Sequence, residues 1–397
     1  MVRLNLMSLV PYDHHNGDVY DIDLAAPPDE RWLDAASQMG DRVHALLTHL
    51  CQSIDDHIAE EHGNSLSSRL LVATAPKLIG KALRSIGGDY VTEILSIARV
   101  IGVDPDLLIT ANLSYELEGL CSSISFEDRK GRPILARTLD WAVPESAGEH
   151  SVRLRFHRGR QAYDSISVAG FVGLLSVQRP GRWAMTLNMA PTTGGLGRLL
   201  QLSQMPVAMH LRACADVSLS YPSLITNITE MQTAAPFFVH VIGVKAGERT
   251  ILTGHGASYS RRTTDGNGTL AITNHHVNNQ GLPEDESADD NSVVRFAALC
   301  RRHHRINPTS VKDAHRLIAR GPITYEQTQQ AMVLCPALDH IDLLIRPNPA
   351  WSTSDAPSEG AWESAELDCP ICHEAHDFND GPGDYVCPTT GRLLTVT

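Results

Sequence analysis

The sequence has no apolar run that approaches the roughly 18 residues needed to cross a bilayer, so no transmembrane helix is expected. It also has no excess of positive charge: 33 lysines and arginines stand against 46 aspartates and glutamates, for a net charge of −13. Because nucleic acids and anionic membranes attract basic surfaces, neither is expected as an electrostatic partner. No internal repeat is visible. We therefore expect a globular protein: the chain has 397 residues, and its 42% hydrophobic content is enough to form a full core.

Signs of secretion are also missing. The N-terminus has one basic residue and a short apolar stretch interrupted by Asn5 and Ser8, which is unlike a secretory signal. Of the eight cysteines, five are scattered singly and three cluster near the C-terminus, so a disulfide framework is not expected outside a secreted context. We therefore expect free thiols, a reducing compartment and a cytoplasmic location.

The chain changes character at Cys121. Before it, residues 23–119 show mainly helical spacing of apolar residues, after a lead-in over residues 1–22 that has no periodicity and is expected to be irregular. From 121 to about 278 the pattern is mostly that of strands. This break indicates a junction between two parts of the chain.

The stretch from Cys121 to Trp141 predicts a β-hairpin, with an alternating run, a charged turn around Gly131 and a second apolar-rich run. We expect Cys121 at the first position of the first strand, directly after a helix. That place suits a residue that becomes a new chain terminus. A cysteine freed at its α-amino group carries nucleophile and base together, because the amine, with a pKa of about 8, can take the proton of the thiol.

This stretch resembles the acid ceramidase and N-acylethanolamine acid amidase family of N-terminal-nucleophile (Ntn) cysteine hydrolases. The shared pattern is Cys-[Ser/Thr]-Ser-Ile, then Glu-Asp-x-Lys-Gly, then Arg-x-x-Asp, with Arg137 sixteen and Asp140 nineteen positions after Cys121. Further motifs of the same family follow one another in the expected order, over roughly residues 20 to 345. They are Asp23 to Trp32, Asn112 to Leu120, Ala169 to Leu175, Thr186 to Asn188, and Thr273-Asn274.

The order of elements and the resemblance both favour an α+β fold, a four-layer αββα Ntn-hydrolase sandwich preceded by a helical segment. The expected parts are residues 1–120 as a helical α-subunit and 121–346 as the catalytic β-subunit. A linker rich in proline, serine, alanine and glutamate follows over 347–366, and a zinc-ribbon-like tail over 367–397. The resemblance does not extend to the tail.

The resemblance implies an enzyme that matures by cutting itself between Leu120 and Cys121 and then hydrolyses the amide bond of an N-acylated, fatty-acyl substrate. The expected product of maturation is an α/β heterodimer from one chain, with no cofactor for catalysis. The apolar helix predicted over Leu70 to Ile86, broken by Pro76, has two readings. It covers the core, or, as the resemblance implies, it touches a membrane or micelle near the substrate entrance.

Two other functions stay open at this point. An acyltransferase or acylase of the same fold would act on acyl amino acids, acyl lactones or β-lactam-type amides. From a different class, an uncleaved pseudoenzyme would serve as a scaffold that docks partners through the C-terminal tail. The tail and the departure at Met189, described below, are the features that favour the scaffold.

The resemblance assigns roles to Arg137 and Asp140 around the nucleophile. Asp140 would hold the new α-ammonium group, and Arg137 would stabilise the thiolate of Cys121. The alternative for each is a surface salt bridge. Because 137 and 140 have opposite parity along a strand, a bulge or a strand end is expected to bring both side chains to Cys121.

A tetrahedral intermediate also needs hydrogen-bond donors aimed at its oxyanion. Asn274 matches the family's oxyanion asparagine, and the backbone N–H of Met189 would be the second donor. The family has Leu-Asn-Glu where this chain has Leu-Asn-Met, so any side-chain role of that glutamate is lost. Asn188 is a candidate for substrate binding, and its alternative, like that of Asn274, is a turn or capping residue. Arg295 is either a second site arginine or a structural one.

The tail resembles a degenerate zinc ribbon, with Cys369-Pro-Ile-Cys372 followed by Cys387-Pro. The fourth cysteine position holds Thr390, so His376, or else His373, would complete a tetrahedral structural zinc site. The alternative is a tail without metal.

Overall fold

The computed structural model describes residues 10–11, 19–62, 66–141, 147–190, 204–233, 235–263, 270–278 and 290–346, and four short strands within 367–396. It divides into two compact units, Met1–Pro349 and Ala350–Thr397. The first unit holds the candidate site.

Four helices of the first unit precede the central hairpin: α1 Leu33–His62, α2 Leu66–Ile86, α3 Gly88–Ile101 and α4 Pro105–Glu118. Among the described residues, four more follow it: α5 Val207–Val217, α6 Tyr221–Thr229, α7 Asp290–Ile306 and α8 Val311–Ile318. Within the described residues, none of the helices combines the length and apolar character that crossing a membrane requires.

Local sequence explains where α3 ends and α4 begins. Gly102 has a positive φ of 79° and donates its N–H to the carbonyl of Ala98, which closes α3. The side chain of Asp104 accepts the N–H of Asp106 at 2.8 Å, and Pro105 fills the first helical position, where no N–H is needed.

Two large sheets form the β part of this unit. The first sheet has the strand order β1-β14-β13-β4-β3-β12. Its strands are β1 Val10–Pro11, β3 Gly119–Glu127, β4 Pro133–Trp141, β12 Leu270–Ile272, β13 Thr328–Cys335 and β14 His340–Ile345. The second sheet has the order β11-β10-β9-β8-β7-β6-β5-β2. Its strands are β2 Val19–Asp23, β5 Ser151–Arg158, β6 Gln161–Val168, β7 Ser176–Arg179, β8 Trp183–Met189, β9 Phe237–Ile242, β10 Arg249–His255 and β11 Ser258–Arg262.

The expectation of an irregular lead-in over residues 1–22 was wrong at positions 10–11 and 19–22, which form strands, whereas residues 1–9 and 12–18 lie outside the described part of the chain. β1 pairs with β14 at one edge of the first sheet, and β2 runs parallel to β5 at the edge of the second. Neither strand carries a periodic apolar pattern of useful length, because β1 has two residues and β2 has five.

Alternation along the strands divides the core. One face of the hairpin, including Ile124, Phe126 and Ala136, packs against apolar residues of α7 and α8 such as Leu299 and Leu317. On the opposite face, four residues from the two sheets pack together: Leu135, Leu334, Ala184 and Ile242. The unit is therefore a mixed α and β body in which the two sheets contact each other.

The predicted hairpin is confirmed, with one correction. β3 and β4 pair without a register shift from Gly119 opposite Trp141 to Glu127 opposite Pro133. β3 begins at Gly119, directly after the last residue of α4, so Cys121 is the third residue of the strand and not the first. The peptide bond between Leu120 and Cys121 consequently lies inside a paired strand.

The second unit contains two short antiparallel hairpins. β15 Leu367–Asp368 pairs with β16 Ala375–His376, and β17 Gly383–Val386 pairs with β18 Leu393–Val396. Cys369, Cys372 and Cys387, the predicted zinc ligands, lie outside the described residues, as does the side chain of His376. Zinc binding by the tail stays a prediction.

Candidate active site

The sulfur of Cys121 lies in a closed, polar corner between the two sheets. The residue has no exposed surface. Nη2 of Arg137, on β4, donates a hydrogen bond to Sγ of Cys121 at 2.9 Å. The same guanidinium donates to the carbonyl of Leu187 at 2.8 Å and to Oγ of Ser176. Because acceptors on β3, β7 and β8 hold it, Arg137 presents a fixed positive charge to the sulfur.

The backbone of Cys121 is held on both sides by side chains from distant parts of the chain. Its N–H donates to Oδ1 of Asn274 at 2.8 Å, and its carbonyl accepts from Nη1 of Arg295 at 2.8 Å. Asn274 follows β12, and its own N–H donates to Oγ of Ser292 at 2.9 Å. The segment around the predicted cleavage point is therefore held in one orientation.

The amide nitrogen of Asn274 links the nucleophile strand to the end of β8. Nδ2 donates to the carbonyl of Met189 at 2.8 Å and, more weakly, to that of Gly119 at 3.5 Å. Nδ2 of Asn188 donates to the carbonyl of Thr273 at 3.2 Å. Asn188 thus braces the strand end that carries Asn274, while Met189 and Asn274 contact each other.

Arg295, which the sequence left between two readings, lies at the centre of the site. It comes from α7 and is fully buried. Nη1 donates to Oγ of Ser122 at 2.7 Å and to Oδ2 of Asp140 at 3.3 Å, and Nη2 donates to Oδ1 of Asn274 at 3.1 Å. Nε donates to Asn291 at 2.7 Å. Arg295 therefore connects Asp140, Asn274 and the nucleophile strand.

Asp140 is linked to Cys121 through Arg295, whereas it was expected to hold the new α-ammonium group itself. It stands opposite Leu120 in the ladder and is fully buried. Oδ1 accepts from Thr328 at 2.7 Å, and Oδ2 faces Arg295. Burial raises the pKa of Asp140 to about 6, an effect that the positive charge of Arg295 partly offsets.

Arg137 and Asp140 lie on opposite faces of β4, because the β3–β4 ladder has no bulge. Arg137 contacts Sγ of Cys121 directly, whereas Asp140 is connected to the carbonyl of Cys121 through Arg295. The register shift in this part of the sheet lies in β13, between Thr328 and Gln330. Residues on the two faces of β4 are thus connected to different atoms of Cys121: Arg137 to the sulfur, and Asp140, through Arg295, to the carbonyl.

Sequence reasoning missed one polar contact on the face of β3 that carries Cys121. His240, on β9, bridges Ser123 at 3.0 Å and Ser125 at 2.8 Å, one with each ring nitrogen. Complete burial lowers the pKa of His240 well below its usual value, so the ring is neutral. The alternating serines after Cys121 were the available signal, because buried hydroxyls need partners.

Other missed residues support the charged ones. They are Ser122, Ser176, Asn291, Ser292 and Thr328, each of which binds a side chain or backbone group of the site. Single serines, asparagines and threonines are too common for the sequence to mark these five.

A small apolar crevice includes Trp141, which lies two residues along β4 from Leu139, the residue opposite Cys121. Cys121 and Trp141 belong to the same packed apolar cluster, which extends to the residues that line the crevice. α1 and α4 form one wall, and the segment after β6 forms the other. The lining includes Val43, Leu46, Leu50, Leu108, Trp141 and Phe171.

Comparison with known proteins finds acid ceramidases among the relatives of this chain. No family model matches the chain. Acid ceramidase of Rattus norvegicus is 27% identical over 254 residues, and that of Homo sapiens is 26% identical over 254 residues. Each match covers 59% of this chain and 62% of the relative, so the chain spans less than two thirds of the curated relatives it matches.

Among solved structures, the Caenorhabditis elegans N-acylethanolamine-hydrolyzing acid amidase ortholog aligns with a TM-score of 0.48 at 19% sequence identity. That alignment covers 55% of this chain and 93% of the other. The acid ceramidase matches agree with the resemblance stated from the motifs: the chain is similar in sequence to acid ceramidases.

Proposed function

We propose that this protein is an N-terminal-cysteine amidohydrolase that cuts itself before Cys121. The observation that carries the proposal is the arrangement around that residue. Arg137 contacts the sulfur, Asn274 holds the peptide nitrogen, and Arg295 holds the carbonyl. The nucleophile, the leaving nitrogen and the guanidinium of Arg137 thus meet at the Leu120–Cys121 peptide bond, and Arg295 holds the next peptide group of the strand.

Self-cleavage would proceed by an N→S acyl shift. Sγ of Cys121 attacks the carbonyl carbon of Leu120, the C–N bond breaks, and the proton of the thiol ends on the departing nitrogen. Water then hydrolyses the thioester, which releases the carboxylate of Leu120 and restores the thiol of Cys121. Arg137 stabilises negative charge that develops on the sulfur, and Asn274 keeps the nitrogen in position.

The same cysteine would then act on substrate. Its free α-amine takes the proton of the thiol, Sγ attacks the amide carbonyl of the substrate, and the amine of the substrate leaves with that proton. Water resolves the acyl-enzyme to a carboxylic acid. Asp140, linked through Arg295, would hold the new α-ammonium group. Asn274 and the N–H of Met189 would serve the oxyanion after the peptide is cut.

The substrate class follows from the crevice and from the relatives. The side chains that line the crevice beside Trp141 are mostly aliphatic or aromatic, with Asn112 as a polar exception, so its chemistry matches an apolar group better than a polar one. The curated relatives are ceramidases by name. We infer a linear N-acyl amide with an apolar acyl chain as substrate, and a four-layer αββα Ntn-hydrolase fold for the body that binds it.

The intact chain would be a zymogen. Cys121 is fully buried, and the peptide before it continues into α4. A substrate carbonyl therefore has no path to Sγ until cleavage separates β3 from α4. The two products, residues 1–120 and 121 onward, would remain together as a heterodimer.

The test is the intact mass of the purified chain after incubation near pH 5 and near pH 8. Two fragments that divide between Leu120 and Cys121, absent in Cys121→Ala, support the proposal. The cleaved protein should then hydrolyse a fatty-acyl amide, with release of acid and amine in equal amounts. A chain that stays uncut under both conditions and is not labelled by an acyl-directed cysteine probe would contradict it and favour the scaffold reading.

A further inference from the structure

A carboxylate with no exposed surface lies far from Cys121 in the chain and outside the site described above. Glu93, on α3, accepts hydrogen bonds from Nη1 of Arg31 at 2.8 Å and from Nε1 of Trp32 at 2.6 Å. Nη2 of Arg212, on α5, donates to the same oxygen as Arg31 at 3.0 Å, and Nη1 of Arg212 contacts the oxygen that accepts from Trp32. The carboxylate thus has donors on both oxygens.

Arg212 is equally enclosed. It is fully buried, and Nη1 also donates to the carbonyl of Val172 at 3.0 Å. Its guanidinium carbon lies 4.6 Å from the ring centre of Phe156, 5.1 Å from that of Tyr90 and 5.8 Å from that of Trp32. Burial would lower the pKa of Arg212, but the nearby carboxylate raises it above its ordinary value, so the group stays charged.

The two charges stand on opposite sides of the proposed cut. Glu93 and Arg31 belong to the segment before Cys121, and Arg212 and Phe156 belong to the part after it. Once the chain is cut, the pair joins two separate polypeptides. It is supported there by the parallel pairing of β2 with β5.

We propose that the buried Glu93–Arg212 pair is the latch that keeps the helical segment bound after cleavage, an inference that rests on the proposed self-cleavage. When residues 1–120 begin to separate from the rest, Glu93 and Arg212 move apart before water can solvate either charge. Breaking a buried ion pair in this way costs far more free energy than breaking an exposed pair. The latch therefore acts on the rate of dissociation. Cleavage can loosen the junction of α4 and β3 while α3, which carries Glu93, stays bound to Arg212.

The experiment follows release of residues 1–120 from the cleaved protein by size-exclusion chromatography and intact mass. Glu93→Gln removes one charge with little change of size and should release the segment at least about tenfold faster. Arg212→Met should do the same, and the double variant should lose no more than either single one, because both act on one interaction. Asp89→Asn is the matched control: it lies on the same helix with a side chain 68% exposed, 4.0 Å from Arg31, and should leave release unchanged.

Folding is checked in the uncut Cys121→Ala chain. There, Glu93→Gln should speed hydrogen exchange of the α3 amides at least about tenfold, and Asp89→Asn should not. If Glu93→Gln fails to fold, Arg212→Lys, which keeps the charge but loses the planar fork, is the milder variant. Release at the wild-type rate in both single variants, or unchanged α3 exchange, overturns the latch. A wild-type chain that never cuts itself overturns the proposed function and, with it, a latch that acts after cleavage. Faster α3 exchange in Glu93→Gln would then show only that the pair stabilises the uncut chain.

Discussion

Oδ1 of Asn274 lies 2.8 Å from the peptide nitrogen of Cys121, the atom that the proposed cleavage turns into a free α-amine. The same oxygen accepts from Arg295 at 3.1 Å, and Nδ2 of Asn274 is bound to the carbonyl of Met189. The amide is therefore held in one orientation, with its acceptor side toward the leaving nitrogen. Self-cleavage and later turnover would use opposite ends of one side chain.

Asn274→Ala should slow self-cleavage about 10²- to 10³-fold, the loss that removal of one stabilising group at a reacting carbonyl typically causes. The measurement is the fraction of cut chain against time by intact mass. Asn227→Ala, which removes an amide that donates to Ser218 away from the site, is the control and should cut at the wild-type rate. Equal rates for both variants would show that Asn274 only fills space.

Arg137→Lys should lower both self-cleavage and amide hydrolysis by about 100-fold, even though the charge is retained. One guanidinium serves Cys121, Ser176 and Leu187 at once, and an ammonium group cannot reproduce that planar geometry. Arg132→Lys, at a partly exposed pair with Asp128 in the hairpin turn away from Cys121, should have little effect on either rate. Unchanged turnover in Arg137→Lys would mean that the charge alone suffices.

Asp140 should leave a pH signature on stability. Its pKa is about 6 in the folded chain against an ordinary value of 3.8, so the folded state holds the proton more tightly than the unfolded state. The contribution of Asp140 to stability is therefore most favourable below pH 4 and decreases as the pH rises through 6, by about 3 kcal/mol. Above that window its contribution is constant.

The check is denaturant unfolding of the Cys121→Ala chain with and without Asp140→Asn, from pH 4 to pH 7. The difference in free energy of unfolding, Asn variant minus parent, cancels the other titrating groups. This difference should rise as the pH increases through 6 and become constant above that window. The Asn variant also leaves Arg295 without its carboxylate, which shifts the whole curve but not its slope. Parallel curves would contradict a raised pKa.

The tail provides a prediction about metal. The purified chain should carry about one zinc ion, held by Cys369, Cys372, Cys387 and His376. Metal content is measured by elemental analysis before and after dialysis against a chelator. Cys372→Ser should lose the metal, whereas Cys51→Ser, a cysteine of α1, should keep it. A chain without zinc in both states would favour the metal-free tail.

Secondary structure near Cys121 could be predicted because its signals are local. The hairpin follows from alternation and a turn at Gly131, whose φ of 75° suits glycine. The start of α4 follows from Asp104-Pro105. β10 and β11 were missed, since a hairpin with one largely exposed strand has little apolar pattern to read.

The sequence by itself determined which cysteine is the candidate nucleophile and which strand carries it, because motif spacing and alternation are properties of neighbouring residues. Only the tertiary structure decided that Arg295 lies beside Cys121, that Asp140 is linked to Cys121 through it, and that His240 binds two serines on the face of β3 that carries Cys121. These contacts join residues more than 100 positions apart. Such pairings depend on how two sheets and a helix pack together, and no local pattern encodes which buried polar groups will meet.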